Sequence, residues 1–185
     1  MDKTAQTELH RLFLIERLPE PLTRASSHVQ IFDNYIEGTH LRLRHIRDPY
    51  SNTWTRIIQK RFQAGVGETR LSEIHLDEGE YSYFAQFEGR EIRKNRYFHE
   101  FDRVSLTFDV YLGALWGLCT AKADFETREI MSGFVPPPFV VFEVTSDEFF
   151  EGRNLVSSSF ADAQAEVAQM GRAEPPAFAG GDQAG

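Results

Sequence analysis

Two arginines one residue apart, Arg42 and Arg44 in the segment THLRLRHI (Thr39–Ile46), are the residues whose type and spacing first suggest chemistry. As a strand, this segment sends Leu41 and Leu43 to one face and both guanidiniums to the other. Adjacent like charges repel, so something negative belongs between them, either solvent and surface carboxylates or an anionic ligand. The same alternation of charged residues recurs along the chain. Glu8 and His10 share one strand face, and Lys60 ends a later strand. Glu73 with His75, Lys94 with Arg96, and Thr107 with Asp109 follow; Lys122, Asp124 and Glu126 then share a face ahead of Glu143 and Thr145. On a flat sheet these side chains make a solvated charged face. In a closed barrel they converge on the lumen, where opposite charges must pair or hold a ligand. Arg and Lys there attract a multiply charged anion, and carboxylates among them suit a hard divalent cation. Periodicity leaves flat and closed both open.

The elements that would position these residues are short. Nine β-type segments are expected: HRLFLIERL, SHVQIFDNYI, THLRLRHI, TWTRIIQK, TRLSEIHL, GREIRKNRYFHEF, RVSLTFDVYLG, GLCTAKADFE and FVVFEVT. Turn signals separate them at Glu37-Gly38, Asp48-Pro49, Gly65 and Gly67, Gly113, and Pro136 to Pro138. The pattern reads as a mostly antiparallel sheet or barrel with a few helices. One helix is expected from Asp77, as N-cap with Glu80 as capping-box partner, to about Phe87. Others are expected at Glu126–Phe134 and Ser158–Gly171, where Gly171 is the stop. Residues 1–170 read as one domain, and the Ala-, Gly- and Pro-rich residues 171–185 as a disordered tail.

With 185 residues and a formal net charge of -8, the chain lacks the basic surface of a nucleic-acid polymer binder, though a local basic pocket is compatible with it. The single Cys119 excludes an internal disulfide, fits a reducing compartment and reads as a small buried hydrophobe. The polar opening segment is not read as a signal peptide, and no apolar run approaches the ~20 residues of a membrane helix. A cytoplasmic protein, monomer or homodimer, is the expectation.

Toward the C-terminal half the chain resembles the CYTH domain family. These are the triphosphate tunnel metalloenzymes, which include thiamine triphosphatases, inorganic triphosphatases and class IV adenylate cyclases. Asp109-Val110-Tyr111, Gly113, Gly117-Leu118, Ala121, Phe125, Pro137-Pro138, Glu143-Val144-Thr145 and Asn154-Leu155 follow the family's order and spacing. Earlier, LRLR resembles its L-R-I-R strand, IIQK its T-I-K, and RKNRY its K-T-R-Y. ELHRLFLIERLPEP stands in the place of its E-x-E-x-K signature. The resemblance spans about Glu8 to Leu155 and implies a mainly β (α+β) fold, a closed eight-stranded antiparallel barrel with a few flanking helices. It implies that Arg42, Arg44, Lys60, Lys94 and Arg96 bind phosphate oxygens. Glu8, His10, Asp124, Glu126 and Glu143 would stand on the metal side, with Mg²⁺ or Mn²⁺ as cofactor. Glu73, His75, Asp109 and Thr145 would line the tunnel, and Glu8, Asp124 and Lys122 would be the catalytic groups.

The chain departs from the family pattern at four positions. His10 stands for the second signature Glu, Leu12 for its Lys, Thr107 for an acid before Asp109, and Lys122 for an acid before Asp124. The changes at His10, Thr107 and Lys122 make the metal side less negative. Two readings follow. In one, the tunnel hydrolyses a phosphoanhydride of a polyphosphate, nucleotide or thiamine triphosphate with a divalent metal, His10 favouring Mn²⁺. In the other, Lys122 takes over part of the metal's electrostatic role, and the protein binds or senses the anion without metal.

Overall fold

The nine segments form nine strands in the computed structural model, which describes residues 6–87 and 89–173. In chain order they are β1 (Gln6–Ile15), β2 (His28–Ile36), β3 (Leu41–Asp48), β4 (Thr53–Gly65), β5 (Glu68–Leu76), β6 (Gly89–Phe101), β7 (Val104–Tyr111), β8 (Cys119–Phe125) and β9 (Val140–Glu143). The sheet order is β5-β4-β3-β2-β6-β7-β8-β1-β9, and β1 also pairs with β5. That pairing closes β1 to β8 into an antiparallel eight-stranded barrel with β9 as an extra strand. Closure is the outcome that alternation alone left open.

β1 makes this possible by dividing its partners. Gln6 to Leu9 pair with β5, and Phe13 to Ile15 with β9, while the opposite edge of β1 follows β8. The β4–β5 turn braces the seam. Gly67 has φ +67°, and a Cβ there would meet the His10 carbonyl oxygen at 2.4 Å. The His10 amide donates to the Gly67 carbonyl at 2.8 Å. Only glycine combines that backbone conformation with that approach.

The barrel has two apolar layers. On the outer face Phe13, Leu106, Phe108, Ala121 and Ala123 are buried under Phe134, Phe139 and Val140. Each Phe removed from water contributes roughly 1.5–3 kcal/mol. Cys119 is free and buried in this layer. At one end of the lumen Leu14, Ile92, Tyr111, Val144, Phe150 and Leu155 form a second cluster.

Among the described residues, four α-helices accompany the strands. α1 (Glu78–Phe84) has the expected capping box: the Asp77 side chain accepts from the Glu80 amide, and the Glu80 side chain from the Asp77 amide. It ends at Phe84, before the expected Phe87. α2 (Arg128–Gly133) falls within the expected segment, capped by Thr127. α3 (Gly152–Leu155) is one short turn. α4 (Phe160–Ala173) runs through Gly171, the expected stop. The remainder of the expected tail, 174–185, lies outside the described residues. Among the described residues no helix is long and apolar enough to cross a membrane.

Candidate functional site

The lumen is a cavity of about 880 Å³ whose wall includes Arg42, Arg44, Arg61, Lys94, Arg96 and Lys122. Strand parity explains which residues enter it. On β3, Arg42 and Arg44 point inward and are nearly buried, at 7% and 8% exposure. Antiparallel register sets Tyr35 opposite Arg42, Asp33 opposite Arg44, and Gln59 opposite Arg42 on the other side.

Asp33 anchors the first cationic group. It is fully buried, and Arg44 donates to both of its oxygens, Nε to Oδ1 at 2.6 Å and Nη2 to Oδ2 at 2.7 Å. Arg42 Nη1 lies 3.5 Å and Lys94 Nζ 4.0 Å from Oδ2. Arg42 also donates to Gln59 and to the Tyr35 hydroxyl. Burial by itself pushes the Asp33 carboxyl up. The Arg42 and Arg44 charges, the Arg44 hydrogen bonds and Lys94 outweigh it and hold the group well below the usual carboxylate range.

Asp109 anchors the second group. It accepts from Arg96 through Nε and Nη2, both at 2.7 Å, and from Lys94 Nζ at 2.7 Å. Burial opposes ionisation here too, but Arg96 and Lys94 hold Asp109 below its ordinary value. Burial pulls Lys94 down to about 8 against the opposing effect of Asp109. Arg44 and Arg96 each offer one edge of the guanidinium to a carboxylate. The planar five-donor fork leaves another edge for a ligand oxygen.

The third group joins β1, β4 and β8. Glu8 accepts from Arg61 Nη2 at 2.9 Å, and Lys122 Nζ lies 3.8 Å from Glu8 and 2.6 Å from Asp124. Glu8 is held below its ordinary value: burial raises it, and Lys122 and Arg61 together more than offset that. His10 also lines the lumen, with a buried Nδ1 that has no hydrogen-bond partner in the protein. Burial first, then Lys122, pulls His10 down to about 4, so its ring is neutral at pH 7.

Several expected residues lie elsewhere. Lys60 is exposed on the outside of β4, its Nζ 5.2 Å from the Phe62 ring centroid. The register brings Ile57, Gln59 and Arg61 inward, one residue out of phase with Lys60. Glu143 sits on the outer face because it pairs with Phe13, an outward-facing residue. Arg11 donates to it through Nε at 2.9 Å and Nη2 at 2.5 Å, and its pKa is lowered chiefly by that Arg11 hydrogen bond. Glu126 is exposed, beyond the end of β8, and His75 is exposed, 4.0 Å from Glu73. Glu73, Asp109 and Thr145 line the cavity, and Gln59 donates to Glu73 at 2.8 Å. Asp124 lies outside the main cavity, beside a smaller depression with Thr107.

Of the expected metal ligands, Glu8, His10 and Asp124 stand near one another around Lys122, while Glu126 and Glu143 lie elsewhere. Among the described residues no group of three or more His, Cys, Asp or Glu side chains could hold a metal ion. Where Glu8 and Asp124 do converge, the Lys122 ammonium already stands between them. The residues present do not fit a divalent cation at this position.

Asp33, Gln59 and Arg61 escaped the motif comparison. Alternation contained a signal for Asp33, which shares the inward face of HVQIFDNYI with Ile31 and Tyr35. Arg61 lies one residue beyond the quoted IIQK. Trp116 stacks on Arg24, its ring centroid 4.7 Å from the guanidinium carbon, and does not line the lumen.

No family model matches the chain. An inorganic triphosphatase of Nitrosomonas europaea is 27% identical over 158 residues, covering 82% of this chain and 98% of that protein. The crystal structure of the hypothetical protein NE1496 superposes with TM-score 0.56 at 22% identity, over 82% of this chain and 99% of that one. That of the inorganic triphosphatase NE1496 gives 0.56 at 21%, over 82% and 95%. The chain is therefore similar in sequence to an inorganic triphosphatase, and its closed antiparallel barrel shares the fold of the NE1496 structures.

Proposed function

We propose that the tunnel binds a triphosphate-class anion and hydrolyses its terminal phosphoanhydride bond, with inorganic triphosphate as the best-suited substrate. The observation that carries this is the convergence of Arg42, Arg44, Lys94 and Arg96 on one cavity, each braced from behind by Asp33 or Asp109. A phosphate chain uses such forked donors along its length. The homologous inorganic triphosphatase supports the same substrate class. A nucleoside is less well served. Tyr35 and Tyr111 lie against Arg42 and Lys94, and Trp116 is outside the lining.

Hydrolysis of this kind depends mainly on positioning and charge stabilisation. Water attacks the terminal phosphorus, the bridging P–O bond breaks, and its electrons pass to the diphosphate leaving group. Cations along the wall stabilise that charge. Glu8, kept ionised beside Arg61 and Lys122, is the lumen acceptor placed to orient the water. A second reading, binding without turnover, is favoured by the ammonium of Lys122 among the acids.

Phosphate release from tripolyphosphate, measured with Mg²⁺, with Mn²⁺ and in EDTA, tests the first reading. Release in at least one condition is expected. No release in any, with a persisting thermal upshift, establishes the second instead.

Affinity should also depend on pH through Lys94. The amine is charged below about 8 and loses its charge above that value. Tripolyphosphate affinity therefore falls as pH rises through 8, by up to about tenfold per pH unit while one proton must be taken up on binding. A calorimetric pH series reads this directly, and a flat profile across that value would contradict it.

A further inference from the structure

We propose that Lys122 is a built-in cation that stands in for a divalent ion, so that the tunnel takes the metal-free polyphosphate anion. The inference rests on the triphosphate reading above and specifies the ionic form of its ligand.

Three observations carry it. The first is position. Lys122 faces the lumen from β8, with Nζ 2.6 Å from Asp124 Oδ1 and 3.8 Å from Glu8 Oε2. These are the two carboxylates that converge at this end, and the ammonium is their shared counter-ion. A divalent ion placed between them would meet a fixed positive charge at contact range. The second is the surrounding row. The cross-strand neighbours of Lys122 are Leu12 and Thr107, both uncharged. The ammonium is therefore compensated only by Asp124 and Glu8, and its remaining donors face the lumen.

The third is the charge balance of the tunnel. Arg42, Arg44, Lys94 and Arg96 pair with Asp33 and Asp109 in one ion-pair network, and Arg61 and Lys122 pair with Glu8 and Asp124 in a second. The first network has four cations against two carboxylates, and the second, which holds Lys122, is balanced at two against two without any metal. Two orphaned polar atoms, Thr107 Oγ1 directly across from Lys122 and His10 Nδ1 across from Asp124, have hydrogen-bonding capacity that no protein group uses. A divalent ion in solution then acts against binding. It complexes the phosphate chain and withdraws the free anion that the tunnel recognises.

Calorimetry and thermal melting with tripolyphosphate test this on the wild-type protein, Lys122→Gln and Lys122→Glu. Wild-type protein should bind in EDTA, and Mg²⁺ in excess over the ligand should weaken the apparent affinity. Lys122→Gln keeps the side-chain length and should lose about 10- to 100-fold in EDTA, the range for one charge-assisted contact. Lys122→Glu adds a third carboxylate to Glu8 and Asp124. It should gain a thermal upshift with Mn²⁺ alone that the wild-type protein does not show. Wild-type binding that requires Mg²⁺ or Mn²⁺, or Lys122→Gln binding as tightly as wild type in EDTA, overturns the built-in cation while leaving the triphosphate reading intact. Absence of tripolyphosphate binding under every condition overturns both.

Discussion

Asp33→Ala is expected to destabilise the protein by about 3–5 kcal/mol, the range for breaking a buried ion pair by removing one partner. Against a typical domain stability of about 5–15 kcal/mol, that approaches global unfolding. The carboxylate is fully buried and faces Arg44, Arg42 and Lys94 within 4.0 Å. Its removal leaves three cations in a closed lumen with reduced compensation. Urea denaturation measures the loss. Asp33→Asn, which retains the side-chain shape, should be unstable in ligand-free buffer yet gain more from tripolyphosphate than wild type does, because the anion then supplies the missing negative charge. An equal or smaller ligand-induced upshift in Asp33→Asn would separate Asp33 from the anion site.

The same anchors set the acid limit. The folded-state pKa values of Asp33 and Asp109 are depressed, so their stabilisation is present above the unfolded carboxylate value. It is lost as pH falls toward and through the folded value. Acid unfolding is therefore the expected direction, and added tripolyphosphate, itself losing charge in acid, rescues little there.

Arg44→Ala is expected to reduce tripolyphosphate affinity by about 10- to 150-fold, as for loss of a charge-assisted, forked donor pair. Folding should survive better than in Asp33→Ala, since Asp33 retains Arg42 and Lys94 nearby. Arg44→Lys keeps the charge but loses the planar fork, and should recover only part of the affinity. Calorimetry separates these cases. Undiminished binding by Arg44→Ala would place the anion outside the tunnel.

Most of what positions the site was legible in the chain. The alternation around Arg42 and Arg44, and similar alternation in the other segments, is local chemistry: side chains of a strand take opposite faces, and turn residues end it. The Asp77 and Glu80 capping box is equally local, a reciprocal exchange of hydrogen bonds across three residues. Motif order added the closed barrel as an implication that periodicity could not supply. Lys60 illustrates the limit. Inward and outward positions on β4 differ by one residue, and the pairing of Gln59 with Arg42 decides between them. Glu143 faces outward for a similar reason, because β9 adds to β1 opposite Phe13.

The sequence by itself determined the strands, their turns and which charges alternate with apolar residues, because those follow from neighbours along the backbone. Only the tertiary structure decided that Glu8 meets Arg61 and Lys122, that Asp33 lies beneath three cations, and that Glu126 and Glu143 stand apart from Glu8 and Asp124. The seam between β1 and β5 joins residues about sixty positions apart. Such long-range register depends on closure of the whole sheet, and a one-residue change in it exchanges every inward side chain for its outward neighbour.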